Sequence, residues 1–241
     1  MTDKKNKIND AVWKAINSTI NKFKEYPYYF FTESDIISYF YHRLYSTNHE
    51  ESTEDIERIY CVHREYPTNF RYRKRDLLND TISEPNKLDG ILGSRGHYDI
   101  AVLNPEFIKT INSERDIINK DIKLVIQREK NNKKFFNKEL LFAMEFKYII
   151  NNSEKFVKEV KMDNKKLLFA KNDGGVVEAI NLIFCNVNST KYTGRIINEI
   201  KNADNKILSV FIHYYNQGRE KINIGPKINR VEPKIKYSSV V

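Results

Sequence analysis

Apolar and polar positions alternate along this chain in two distinct rhythms, and the change from one to the other marks out its elements. Residues 8 to 25 place Ile8, Val12, Ala15, Ile16, Ile20 and Phe23 at the three-and-four spacing of an amphipathic helix, which Pro27 ends. Thr32 followed by Asp35 reads as the cap of a second helix running to about Tyr45, with Ile36, Ile37, Phe40, Tyr41 and Leu44 as its apolar stripe. From Ile59 to about Tyr72 the period becomes two, with Tyr60, Val62, Arg64 and Tyr66 on one face and Cys61, His63 and Glu65 on the other. After turn signals at Pro85-Asn86, Asp89-Gly90 and Gly93 to Gly96, a short strand is expected over His97 to Leu103. Residues 106 to 121 form a polar helix-like insert, Ile122 to Gln127 a short strand, and Lys130 to Lys138 a basic loop.

The run from Leu140 to Ile150 has nine apolar or aromatic residues out of eleven, the mark of a central strand buried on both faces. A helix then spans Ser153 to Lys171, with Phe156, Val160, Leu167 and Ala170 along one side, and Asp173-Gly174-Gly175 closes it. Two more apolar runs, Ala179 to Cys185 and Ile207 to Tyr214, flank a helix around Thr193 to Asn202. The order of elements predicts a mixed α/β layer fold in a single domain over residues 1–217, with a basic tail without assigned structure over 218–241.

Against this pattern a few charges stand out. Glu145 and Lys147 interrupt the most apolar run of the chain and, two residues apart on a strand, point to the same side beside Ala143. Ionised groups in such a place cost several kcal/mol or so unless they are paired or bind a metal. The simplest account is a buried Glu145–Lys147 ion pair, or a strand end where both heads reach water. Asp99 sits among apolar neighbours in a strand, where aspartate is disfavoured. Glu33 lies one turn before Ile36 and Ile37 and continues the buried stripe, although an acid in a first turn is also favoured by the helix dipole. Asp163 falls on the apolar stripe of its helix, with Lys166 beside Leu167.

Three carboxylates converging on one point would hold a hard divalent cation through oxygen. Such an ion polarises a phosphoryl group and lowers the pKa of bound water, and a neighbouring lysine would stabilise the charge that develops.

Composition adds a partner class. Forty-one Lys and Arg against 32 Asp and Glu give a net charge of +9, which favours a polyanion. The densest basic patch, Arg71, Arg73, Lys74 and Arg75 around Tyr72, could follow a phosphate backbone, or could simply be a solvated charge run. Cys61 and Cys185 are the only cysteines, which argues against a disulfide scaffold or a structural zinc site and fits a reducing cytoplasm. The first residues lack the apolar core of a signal peptide, and no run approaches the ~18 apolar residues of a membrane span, so a cytoplasmic protein with no membrane partner is expected.

Taken together, Thr32-Glu33 opening an early helix, Tyr98-Asp99-Ile100 on a strand after a glycine turn, and Glu145-Phe146-Lys147 on a core strand resemble the PD-(D/E)xK, or restriction-endonuclease-like, nuclease superfamily. The helix carrying Asp163 and Lys166-Leu167 is similar to the one that follows the motif in many members, and the resemblance spans about residues 30–185. It implies a three-layer α/β core with a mixed central sheet flanked by helices. It also implies Asp99 and Glu145 as principal metal ligands, Glu33 as an auxiliary acid and Lys147 as the catalytic lysine, with Asp163 and Lys166 as auxiliaries. The implied activity is hydrolysis of DNA phosphodiester bonds with Mg2+, Mn2+ substituting, by water attacking in line. His97-Tyr98-Asp99 stands where the family pattern has Pro-Asp. Cutting both strands would suit a homodimer. The rival expectations are a non-catalytic nucleic-acid-binding protein on the same fold, and an interaction protein in which Glu145 and Lys147 merely pair.

Overall fold

The computed structural model describes residues 2–49, 61–72, 94–105, 139–172, 175–187, 191–214 and 220–224. Within them, helices α1 (Thr2–Glu25) and α2 (Glu33–His49) are joined through a 3-10 turn at Pro27–Tyr29. Strands β1 (Val62–Tyr72), β2 (Ser94–Leu103) and β3 (Leu140–Ile149) follow, then α3 (Glu154–Asn172), β4 (Val176–Cys185), α4 (Lys191–Lys201), β5 (Ile207–Tyr214) and β6 (Glu220–Ile224). The polar insert, short strand and basic loop expected between 106 and 138, and the turns expected at Pro85-Asn86 and Asp89-Gly90, lie outside the described residues. Of the turn expected over Gly93 to Gly96, Ser94 to Gly96 already belong to β2.

The six strands form one mixed sheet in which spatial order repeats chain order. β1, β2 and β3 pair antiparallel, β3, β4 and β5 run parallel through the crossovers α3 and α4, and β6 returns antiparallel on the far edge. β3 is central and buried along its length, with Lys147 alone partly exposed, as its unbroken apolar run predicts. One face carries the larger core, in which Ile16, Ile20 and Phe23 of α1 and Ile36, Phe40 and Leu44 of α2 meet Phe142, Met144 and Phe146 of β3. The opposite face packs on α3 and α4 through Val160, Leu167, Ala170, Ile196 and Ile200. Helices thus cover both faces of a mixed sheet. No described helix is long and apolar enough to cross a membrane.

Local details depart from the pattern at three further places. α2 continues to His49, one turn beyond the end expected near Tyr45. In β1, Glu65 adopts a left-handed φ of 51°, which interrupts the pleat. Val62 accordingly packs with the α1–α2 core while Tyr66, expected on the same face, joins the α3 side. β6 occupies part of the expected tail, because the free edge of β5 supplies backbone partners that no side-chain periodicity announces.

Candidate active site

A row of alanines, Ala101, Ala143 and Ala179, crosses β2, β3 and β4 in register and faces α3. Their small side chains let Leu167 and Ala170 approach the sheet closely. One step along the strands the row becomes polar: Glu145 pairs in register with Asn181, and Asn181 with Ser209. α3 meets it with Asp163, Asn164 and Lys166, all buried and presented by the same helix face as Leu167. Asn164 Oδ1 accepts from Asn181 Nδ2 at 2.9 Å and from Ser209 Oγ at 3.0 Å.

On the other side of Glu145 the sheet divides. The β2–β3 register ends at Ile100↔Met144, and its continuation would set Phe146 opposite Tyr98. The Phe146 N–H instead donates to Asp99 Oδ2 at 2.7 Å, and the next inward-facing amide, Tyr148 N–H, donates to Glu33 Oε2 at 3.1 Å. Two acids from different elements therefore satisfy main-chain donors that a full ladder would have bonded. Glu33 is held there by the start of α2. Asp35 accepts from the Phe31 and Thr32 amides at 2.9 and 2.8 Å, and Thr32 Oγ1 accepts from the Asp35 amide at 3.2 Å, a reciprocal cap as the sequence predicts.

The ion pairs differ from the simplest expectation. Glu145 does not pair with Lys147: its Oε2 lies 2.7 Å from Lys166 Nζ, which also donates to the His97 carbonyl at 2.9 Å. Lys147 Nζ is instead 3.2 Å from Glu33 Oε2, 3.7 Å from Glu159 and 3.9 Å from Asp163, with its side chain 14% exposed. On a strand, two side chains on one face lean apart toward whatever covers them, and here α2 and α3 offer an opposite charge to each. The structure thus brings Glu33, Asp99, Glu145, Lys147, Asp163 and Lys166 into one cluster and adds Glu159.

Five acids against two lysines leave the cluster short of positive charge, and the protonation behaviour follows. Burial pushes the Asp99 carboxyl up to about 7, helped by Asp163 and Glu33 and opposed by the Phe146 amide and Lys166. Burial also raises Glu145 well above the usual carboxylate range, against the pull of Lys166, and raises Asp163. For Lys147 burial works against the ammonium, but Asp163, Glu33 and Glu159 outweigh it and hold the group protonated well beyond the ordinary lysine range.

Glu145 Oε1 and Asp163 Oδ2 are buried and accept no hydrogen bond, so the centre holds carboxylate oxygens without donors. Oxygens of this kind, in surplus over cations, fit a hard divalent metal in donor type and charge. Among the described residues, however, no group of three or more acidic, His or Cys side chains is already disposed to hold a metal ion. The lysines stand between the acids. Of the basic patch, Arg71 belongs to β1 with its side chain undescribed, and Arg73, Lys74 and Arg75 lie outside the described residues.

Glu159, Asn164, Asn181 and Ser209 join the site without having been singled out. Asn181 and Ser209 carry the same signal as Glu145, a polar side chain inside an apolar strand run. Glu159 precedes Asp163 by one helical turn. Comparison with family models, with curated proteins and with solved structures returns no match for this chain.

Proposed function

We propose that the chain is a Mg2+-dependent nuclease of the PD-(D/E)xK type, with a restriction-endonuclease-like core, hydrolysing phosphodiester bonds in DNA. The observation that carries this reading is the meeting of Asp99, Glu145, Glu33 and a protonated Lys147 around the fork between β2 and β3. The sequence of elements supports it too: a helix, an antiparallel three-strand meander, a helix and a parallel strand, with the acids on the second and third strands.

Asp99 and Glu145 would hold the metal, with Glu33 and Asp163 beside them. When bound, the ion polarises the phosphoryl oxygen and makes water a nucleophile at neutral pH. Lys147, kept charged by three acids, sets a positive charge where negative charge grows on the phosphate. Lys166 fixes Glu145 and, through the His97 carbonyl, ties α3 to β2. Ser209 donates to Asn164 and, with Asn181, backs the cluster; the attacking group in this reading is water.

The test is incubation of purified protein with supercoiled, linear and single-stranded DNA, in Mg2+ or Mn2+ and in EDTA. Metal-dependent cleavage that Asp99→Ala and Lys147→Ala both abolish is the expected result; intact DNA under every condition overturns the reading. One observation favours a second reading, a non-catalytic nucleic-acid-binding protein: Glu145 already has its counter-ion in Lys166. Salt-dependent DNA retention unchanged by Glu145→Gln, without cleavage, would select it.

A further inference from the structure

The turn between α1 and α2 leaves large rings in water beside the candidate site. Tyr26, Tyr28 and Tyr29 are 55%, 63% and 56% exposed, and Phe31 is 78% exposed. The exposure is built in. Pro27 and Phe30 of the same segment are buried as anchors, Phe30 stacking with Phe23 and accepting the Tyr148 hydroxyl at its carbonyl at 3.0 Å. Tyr29 and Phe30 pack edge-on against Tyr39, and Tyr28 against Tyr214 at the end of β5. Tyr28 and Tyr29 are therefore held in place by ring contacts, and the Phe31 amide is tied to Asp35.

Position and charge select the occupant. Phe31 precedes Glu33 by two residues, no more than about 7 Å of chain, and exposed Ile150 follows Lys147 by three, just past the end of β3. Lys22 places its ammonium 4.3 Å from the Tyr26 ring and 4.5 Å from the Tyr29 ring, a cation set among the aromatic faces. Exposed tyrosines also serve protein interfaces, but an ammonium set among the rings, next to a candidate phosphate site, favours a nucleic-acid strand. Separate rings with an interleaved ammonium match flat bases joined by phosphates.

We propose that this turn is a stacking platform for unpaired bases of the strand whose phosphate enters the acidic cluster, so that the substrate is single-stranded or locally unwound. The inference rests on the nuclease reading only for the neighbouring phosphate; base stacking itself needs no cleavage.

The experiment measures binding of the full chain in EDTA to a fluorescent single-stranded oligonucleotide and to its duplex, for wild type, Tyr28→Ala/Phe31→Ala and Phe31→Trp. Each lost ring contact should weaken single-strand binding by roughly tenfold or more, with duplex affinity almost unchanged and Phe31→Trp near wild type. Because both rings are exposed, the urea midpoint of the double variant should match wild type, which separates lost stacking from lost fold. Equal losses on both nucleic acids, no loss, or a variant that alters only self-association on a sizing column would each overturn the platform. Selective loss in a protein that never cleaves keeps the platform and removes the nuclease reading. Cleavage without selective loss does the reverse.

Discussion

Lys166, one helix away, is the partner of Glu145: its ammonium stands 2.7 Å from Oε2, while Lys147 on the same strand turns to Glu33. Glu145 is buried to within 2% of full enclosure, so its pairing bears directly on stability.

Replacing Lys166 with Met should destabilise the protein by roughly 3–5 kcal/mol, because it strands a buried carboxylate. Glu145→Gln in the same chain should recover a large part of that loss. Urea unfolding of the two singles and the double gives the coupling directly; additive effects would mean that the pair is energetically irrelevant.

Asp99 makes the metal-free fold sensitive to pH. Its ordinary value is 3.8 and its folded value about 7. Below the lower value the carboxyl is protonated in both states and nothing changes. Between the two the unfolded chain ionises first, so stability falls as pH rises, and above the upper value the loss is complete, on the order of 2–4 kcal/mol. In EDTA, Asp99→Asn should therefore be more stable than wild type at pH 8 and equal to it at pH 4. A difference that grows toward acid would contradict this assignment.

Mg2+ should raise the thermal midpoint of the wild type, by linkage worth about 2.7 kcal/mol at a hundredfold excess over Kd. Asp99→Ala and Glu145→Gln should each remove most of that rise. A shift that survives both changes would place the ion elsewhere.

The amides of Phe146 and Tyr148 offer a residue-level readout, since each is bonded to a carboxylate side chain and not to a main-chain carbonyl of β2. Glu33→Ala should accelerate hydrogen exchange at Tyr148 while leaving β4 and β5 protected, and Asp99→Ala should do so at Phe146. Unchanged exchange would show that neighbouring groups cover these donors.

Lys147→Met should lower the cleavage rate by ~100-fold or more with a small effect on DNA affinity, the signature of charge stabilisation during reaction. A rise in KM at constant kcat would instead make Lys147 a binding group.

Much of this was readable from the chain because burial and charge conflict openly in it. The continuous apolar run of β3 announces a strand covered on both faces, and Glu145 and Lys147 are conspicuous for interrupting it. The cap formed by Thr32 and Asp35 is purely local, and so was legible. Partner choice was not, because whether Lys147 or Lys166 reaches Glu145 depends on how α3 lies across the sheet. Asn181 and Ser209 gave the same warning as Glu145, but an uncharged side chain in a core weighs less than an ionised one. β6 was hidden for a different reason: a short edge strand takes its order from its neighbour's backbone.

Because the strands lie side by side in the order they are synthesised, each can dock on a finished neighbour as the chain emerges. Every ionisable member of the cluster has been made by residue 166, before β4 exists. For that interval five acids face two lysines without Asn181 and Ser209, the groups that hold Asn164 behind them. Early capture of a proton or a cation would then steady the cluster until its scaffold arrives.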